Sequence, residues 1–213
     1  MPKKRRPDDY DYFDDLLDEL LRYIVKKYNS YKTRALKFDE LNALRETKTL
    51  YAEILKKTRK LYVEVAWWYY RANKGQYENR YDDDWLMEFL DVFDPITGYQ
   101  YYPEWERKMY RQYEEVVSQV QAKQSPAKMI DRSMQLLVKQ ITQKGIEVVD
   151  QAVKDAYVDR NIRKVRWRTQ EDERVCGECY PRNGKIFRID KLPKKHYLCR
   201  CWLEPVGDNA EDK

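Results

Sequence analysis

Glycine is scarce in this 213-residue chain, six in all, and no apolar run approaches the roughly 18 residues that a membrane span needs. The missing apolar run removes a membrane partner from the expectations. The shortage of glycine, beside a charged fraction of 37%, points to long amphipathic helices and away from a compact sheet protein. Phenylalanine is also sparse, 5 against 19 tyrosines, so buried rings are expected to carry polar tips, which suits helix cores and interfaces. Histidine occurs once, and no cysteine precedes residue 176. The sequence shows no phosphate-cradling glycine loop and no serine-nucleophile motif. If the one histidine binds metal, none remains for general-base work. No enzyme and no small-molecule substrate are expected.

What the chain does hold is concentrated. All four cysteines and the histidine fall between Cys176 and Cys201, as Cys176-x2-Cys179, sixteen residues, then His196-x2-Cys199-x-Cys201. Thiolates and an imidazole at these spacings are the ligand set of tetrahedral zinc. Gly177 eases the tight turn of the first pair. Two disulfides are the competing reading. The stretch from Met1 to Arg6 shows no apolar secretory core, so a reducing compartment is expected, and there clustered cysteines favour metal. Cys176, Cys179, His196, Cys199 and Cys201 offer five candidates for four positions. Cys199 and Cys201 would project to one side of a strand, and the choice between them stays open. Thiolates dominate, which favours a closed structural site over a catalytic one with an open water position. Glu178 inside the knuckle is expected to face solvent, and the ligand order is the reverse of the deaminase signature.

The same segment carries a longer pattern: Trp167-x-Thr169, Asp172, Cys176-x2-Cys179, Gly184-Lys185-x-Phe187, Pro193, then His196-x2-Cys199-Arg200-Cys201-x-Leu203-x-Pro205. It resembles the C-terminal domain of the phage Mu F-like head morphogenesis proteins, also called minor head or minor capsid proteins. The resemblance covers roughly residues 125 to 206 and is specific from Trp167 to Pro205. It implies a minor component of the phage head, incorporated during procapsid assembly, with some relatives acting in DNA packaging or ejection. The implied partners are the portal or the major capsid protein. The implied location is the host cytoplasm during assembly and then the head interior of the virion.

Charge is unevenly spread. Between Arg160 and Arg200 there are 13 Lys/Arg and 5 Asp/Glu, while the whole chain is only +5. Lys3, Lys4, Arg5 and Arg6 form a second basic run. A solvated surface is the ordinary fate of such runs. Contact with phosphates of packaged double-stranded DNA, sequence-independent, is the functional alternative. Its candidates are Lys3 to Arg6 with Arg163, Lys164, Arg166 and Arg168.

Along the chain, Phe13, Leu16, Leu17, Leu20, Leu21, Ile24, Val25 and Tyr28 follow a helical stripe. Asn29-Ser30 is expected to end it. Asp39 caps a second helical stretch with Phe38 as staple. A long helix follows from about Lys48 to Ala72, with Leu50, Ile54, Leu61, Val65 and Trp68 inward, stopped by Lys74-Gly75. Asp82 to Asp84 read as the cap of a short helix from Trp85 to Phe93. Asp94 to Gly98 read as a turn and Tyr99 to Tyr102 as extended. Helices are expected from Pro103 to Lys123 and, behind Ser125-Pro126, to about Val158, with a kink allowed at Gly145. Strands are expected at 162–169, 185–189 and 200–203, with Val165 and Trp167 sharing a face.

These readings give an α+β chain, mainly α, whose long amphipathic helices precede a small zinc-stapled β-rich module. The expected divisions are a disordered basic tail at 1–8, a helical docking region at 9–124, the Mu F-like domain at 125–206 with its zinc core at 162–206, and an acidic tail at 207–213. The expected role is head morphogenesis, with docking to the portal or inner capsid and contact with DNA. A zinc-ribbon nucleic-acid-binding regulator is the alternative.

Overall fold

In the computed structural model, which describes residues 11–76, 80–91, 101–169, 177–196, 199 and 201–207, five helices precede a three-stranded sheet. The fold is mainly α with a small antiparallel sheet, as the composition suggests. The expected basic tail, residues 208–213 of the expected acidic tail, the turn at 94–98 and the residues Cys176 and Asp172 lie outside the described residues.

Helix α1 (Asp11–Ala35) buries Phe13, Leu17, Leu20, Ile24, Tyr28, Tyr31 and Ala35, a stripe of period near 3.6. It does not stop at Asn29-Ser30. Tyr31 is 1% exposed, and its hydroxyl lies 2.6 Å from Thr47 Oγ1. Burying that ring with a satisfied tip outweighs the weak helix propensity of Asn and Ser.

Helix α2 (Glu40–Ala72) is one element where the sequence suggested two. Asp39 Oδ1 accepts the Asn42 N–H at 2.7 Å, as a capping aspartate should. The apparent gap before Leu50 is filled by Thr47, fully buried because its hydroxyl also donates to Ala43 O at 2.7 Å. Trp68, expected inward, is only half-buried and stacks on Tyr12 at 4.6 Å between centroids. The fully buried rings nearby are Tyr62, Tyr69 and Tyr70. Lys74, at φ 61°, and Gly75, whose N–H reaches Tyr70 O at 2.9 Å, turn the chain out of the helix.

Helix α3 (Asp83–Asp91) is capped by Asp82, whose Oδ1 takes the Trp85 N–H at 2.8 Å. Helix α4 (Tyr101–Gln121) begins earlier than expected, so Tyr101 and Tyr102 are helical, not extended. Tyr101 opens the buried stripe Tyr101, Trp105, Met109, Gln112, Val116. Pro103 sits in the first turn, where its missing N–H costs nothing. Helix α5 (Ala127–Asp159) runs through Gly145 as one element. Asn161, at φ 58°, ends it.

Strands β1 (Lys164–Arg168), β2 (Ile186–Arg188) and β3 (Trp202–Val206) pair antiparallel in the order β2-β1-β3. Trp167 pairs with Leu203 and Val165 with both Phe187 and Pro205. Val165 and Trp167 are buried, as the alternation predicts. The third strand starts at Trp202, two residues after the expected start, because the segment before it turns to gather cysteines. It then continues over Pro205, which an edge strand tolerates.

The chain divides into two compact units: residues 1–15, 64–80 and 142–213, and residues 16–63 and 81–141. In the second, the Tyr28 and Tyr51 hydroxyls both donate to Gln112 Oε1, at 3.2 and 3.1 Å. In the first, the sheet meets α5, where Tyr157 donates to Leu203 O at 3.2 Å.

Candidate metal centre

The site is built from two short turns beside the sheet. After β1 the chain reaches Cys179 and makes a 3-10 turn at Tyr180–Arg182, closed by Arg182 N–H to Cys179 O at 3.0 Å. Gly184, at φ 80°, then sends the chain back along β1, its N–H donating to Trp167 O at 2.8 Å. The second turn is held by Cys199 N–H to His196 O at 3.2 Å and delivers Cys199 and Cys201 just before β3.

Cys179, Cys199 and Cys201 are buried free thiols whose sulfurs all lie within 4.8 Å of one another. The Cys179 and Cys199 sulfurs are 3.6 Å apart, far beyond a disulfide bond. Tetrahedral zinc with Zn–S of 2.3 Å would set two thiolates about 3.8 Å apart. His196 presents Nε2 at 3.1 Å from Cys179 Sγ, close to the roughly 3.5 Å of a nitrogen–sulfur pair on one zinc. Three thiols thus stand where one soft cation would bind them, with the His196 imidazole beside Cys179. Both Cys199 and Cys201 are in place, so the alternatives left open by the sequence are both at the cluster. Cys176 lies outside the described residues.

Electrostatics favour one ionised sulfur here, that of Cys199. A hydrogen bond from Cys201 pulls the Cys199 thiol well below its ordinary range against the opposing effect of burial, and the Lys195 charge adds to it. The same contact pushes Cys201 up. Lys195 Nζ also donates to Cys201 O at 2.6 Å and to Asp150 Oδ1 at 2.7 Å, fastening the second turn to α5. Over the Trp167 ring lie the Arg182 guanidinium, 5.5 Å from the centroid, and the Lys195 ammonium at 5.9 Å. The Trp167 indole N–H is buried without a hydrogen-bond partner. The donor set, its spacing and its surrounding positive charge all fit a structural zinc. Asp150 and Lys195 were not found from sequence: one is an ordinary acid on a helix, the other one lysine among many.

The basic candidates are arranged differently from the way a list suggests. Lys164, Arg166 and Arg168 alternate with the buried Val165 and Trp167 and share the other face of β1. Arg168 Nε lies 2.7 Å from Glu204 Oε2, and Arg166 Nη1 lies 3.8 Å from the same oxygen. Arg163 is exposed. Lys3, Lys4, Arg5 and Arg6 lie outside the described residues. Among the described residues no helix is long and apolar enough to cross a membrane.

Comparison with known proteins gives one family. Residues 100–204 match the model of the phage Mu protein F like family, a span that starts before α4 and ends within β3. The match begins about a helix earlier than the cysteine pattern alone indicated. No curated protein and no solved structure matches the chain. Residues 100–204, which carry Cys179, His196, Cys199 and Cys201, are thus a phage Mu protein F like region of the chain.

Proposed function

We propose that this protein is a minor head protein of a phage, acting in head morphogenesis, with zinc as a structural staple of its C-terminal module. The family match over residues 100–204 carries this reading. The helices supply docking surface for the portal or the inner capsid wall, and the basic segment after Arg160 turns towards packaged DNA. The protein assembles with the virion and remains in the head. The reading includes no enzymatic activity, because a thiolate-rich set favours a closed structural site over a catalytic one.

Zinc's chemistry here is organisational. When bound it draws Cys179, His196, Cys199 and Cys201 onto one centre and fixes two turns that the sheet alone holds weakly. Such a centre supplies roughly 10–16 kcal/mol of apparent binding energy, more than three short strands can bury.

Mass spectrometry of purified virions of the encoding phage tests the role, with the chain expected at low copy beside the portal. Co-purification with the portal tests the docking. Filter binding across roughly 50 to 200 mM salt tests DNA contact, which should weaken steeply and show no sequence preference. A chain absent from particles that binds one DNA sequence tightly at physiological salt would instead be a zinc-ribbon regulator.

A further inference from the structure

The face of the sheet opposite the buried Val165 and Trp167 collects residues from all three strands. Directly paired residues share a face, so the strand register sets them in rows. One row is Arg188, Lys164 and Val206; the next is Ile186, Arg166 and Glu204; the last pairs Arg168 with Trp202. Rows lie about 6.6–6.8 Å apart and strands about 4.8 Å apart. Four cations from two strands thus share one small face, and Arg188 was not among the candidates the sequence offered. The Arg168 end is closed, its side chain 16% exposed beside a buried Trp202, whereas Arg188 at the other end is 65% exposed.

Two features mark this face as a surface for an anion with many charges. Lys164 and Arg188 stand directly opposite each other, a placement that costs stability when the charges are alike. The compensating carboxylates are also few and exchangeable. In the paired rows Glu204 is the one carboxylate among the described residues, and its Oε2 serves both Arg168 Nε at 2.7 Å and Arg166 Nη1 at 3.8 Å. Arg188 is held by Asp190, two residues on, at 2.9 and 2.7 Å. Both acids reach solvent, so their pairs contribute little and can be traded.

A duplex backbone offers a phosphate every roughly 3.4 Å of axis on each strand, dense enough to meet several of these cations together. Guanidinium groups match phosphate two-pronged, and each neutralised phosphate releases counterions. An acidic peptide would only replace the carboxylates already present, with sparser charge and no comparable release. The occupant that gains from the trade is double-stranded DNA.

We infer that this face is the DNA-contacting surface, with Lys164, Arg166 and Arg188 on the phosphates, and that Glu204 competes with phosphate for Arg166 and Arg168. This rests on the DNA contact in the reading above, and adds to it the face, the cation Arg188 and an internal brake on affinity. Trading one solvent-reached pair for another leaves binding weak and reversible.

The test measures binding of the purified full chain to a duplex of mixed sequence across about 50 to 200 mM salt. Glu204→Gln keeps an acceptor for Arg168 but removes the charge. It should bind roughly 5-fold tighter at the low-salt end, with a salt slope steeper by about one. Arg188→Gln should weaken binding and flatten the slope by about one. Glu88→Gln, exposed on α3 in the other unit, makes the same change in net charge as Glu204→Gln and should bind as wild type does. DNA left unbound by both wild type and Glu204→Gln would overturn the DNA contact itself, and this inference with it. Wild-type binding with a Glu204→Gln gain no larger than that of Glu88→Gln would overturn the inference alone. So would polyglutamate that displaces the duplex at equal charge concentration, since the face would then suit acidic chains. Should Arg188→Gln fail to fold, Glu204→Gln against Glu88→Gln decides.

Discussion

Lys195 Nζ lies 2.7 Å from Asp150 Oδ1, and the same ammonium holds the Cys201 carbonyl at 2.6 Å. The two side chains are only 14% and 21% exposed. One cation thus joins a helix carboxylate to the backbone of the cysteine-bearing turn, across 45 residues of chain. Lys195→Met should keep the apolar stem but lose both bonds, costing about 1–2 kcal/mol after allowance for partial exposure. Thermal unfolding would read the loss. Asp150→Asn, which keeps a weaker acceptor, should cost less, and a larger loss from that change would contradict the pairing.

Removing the metal should be local. Cys179→Ser, or chelation of the wild type, should open the segment between residues 162 and 206 while the five helices persist. Limited proteolysis should cut in that segment, and helical circular dichroism should change little. Cooperative loss of the whole helical signal would show that the sheet and helices do not melt separately.

If Cys179, His196, Cys199 and Cys201 are the four ligands of a tetrahedral set, the fifth candidate should be dispensable. Cys176→Ser is expected to retain about one zinc per chain, whereas His196→Ala, Cys199→Ser and Cys201→Ser each lose it. Metal analysis after gel filtration distinguishes the cases. Zinc kept by His196→Ala and lost by Cys176→Ser would put Cys176 in the histidine's place.

Gly75 is fixed by close approach. A Cβ there would stand 2.2 Å from the ring of Tyr70. Tyr70 is fully buried, and its hydroxyl donates to Asp159, the carboxylate that Arg80 also holds at 2.8 Å. Gly75→Ala must displace that ring and should destabilise by about 1–3 kcal/mol, as overpacking does. Denaturant melts reading no change would mean the turn yields freely.

Alkali should unfold the Gln112 cluster. Burial raises the Tyr51 phenol to about 12 and pushes Tyr28 up as well. An unfolded tyrosine ionises near 10, so the folded state holds its proton more tightly. That stability is whole below about pH 10 and is lost as pH rises through about 12, some 2–3 kcal/mol for Tyr51. Denaturant midpoints measured from pH 9 to 12 should fall, and less so in Tyr51→Phe. A midpoint that fell equally in both would remove Tyr51 from the account.

Much of this was legible in the sequence because it depends on local pattern. The α1 stripe, the Asp39 and Asp82 caps, the Lys74-Gly75 stop and the alternation of Val165 and Trp167 are short-range signals. The reading failed where tertiary partners decide. Thr47 looked like a gap in α2 because its inward place depends on Tyr31, sixteen residues away. Asn29-Ser30 looked like a stop because nothing local shows that Tyr31 will be buried. Tyr101 looked extended because its burial comes from packing and not from its neighbours in sequence. At the metal centre the ligand spacing was visible, while Asp150 was not: a carboxylate that meets a lysine 45 residues later leaves no periodic trace.

Pro205 has a meaning for the company the protein keeps. It lies in β3, which forms one border of the sheet and is paired on its inner side with Val165 of β1. A bare sheet border is a template for another chain, through main-chain donors and acceptors left in a row. Proline has no main-chain donor to offer, so the row is broken in the middle of its outer side. Copies crowded together would find poor purchase there for joining sheet to sheet, and fibrous self-association should be discouraged by a single ring.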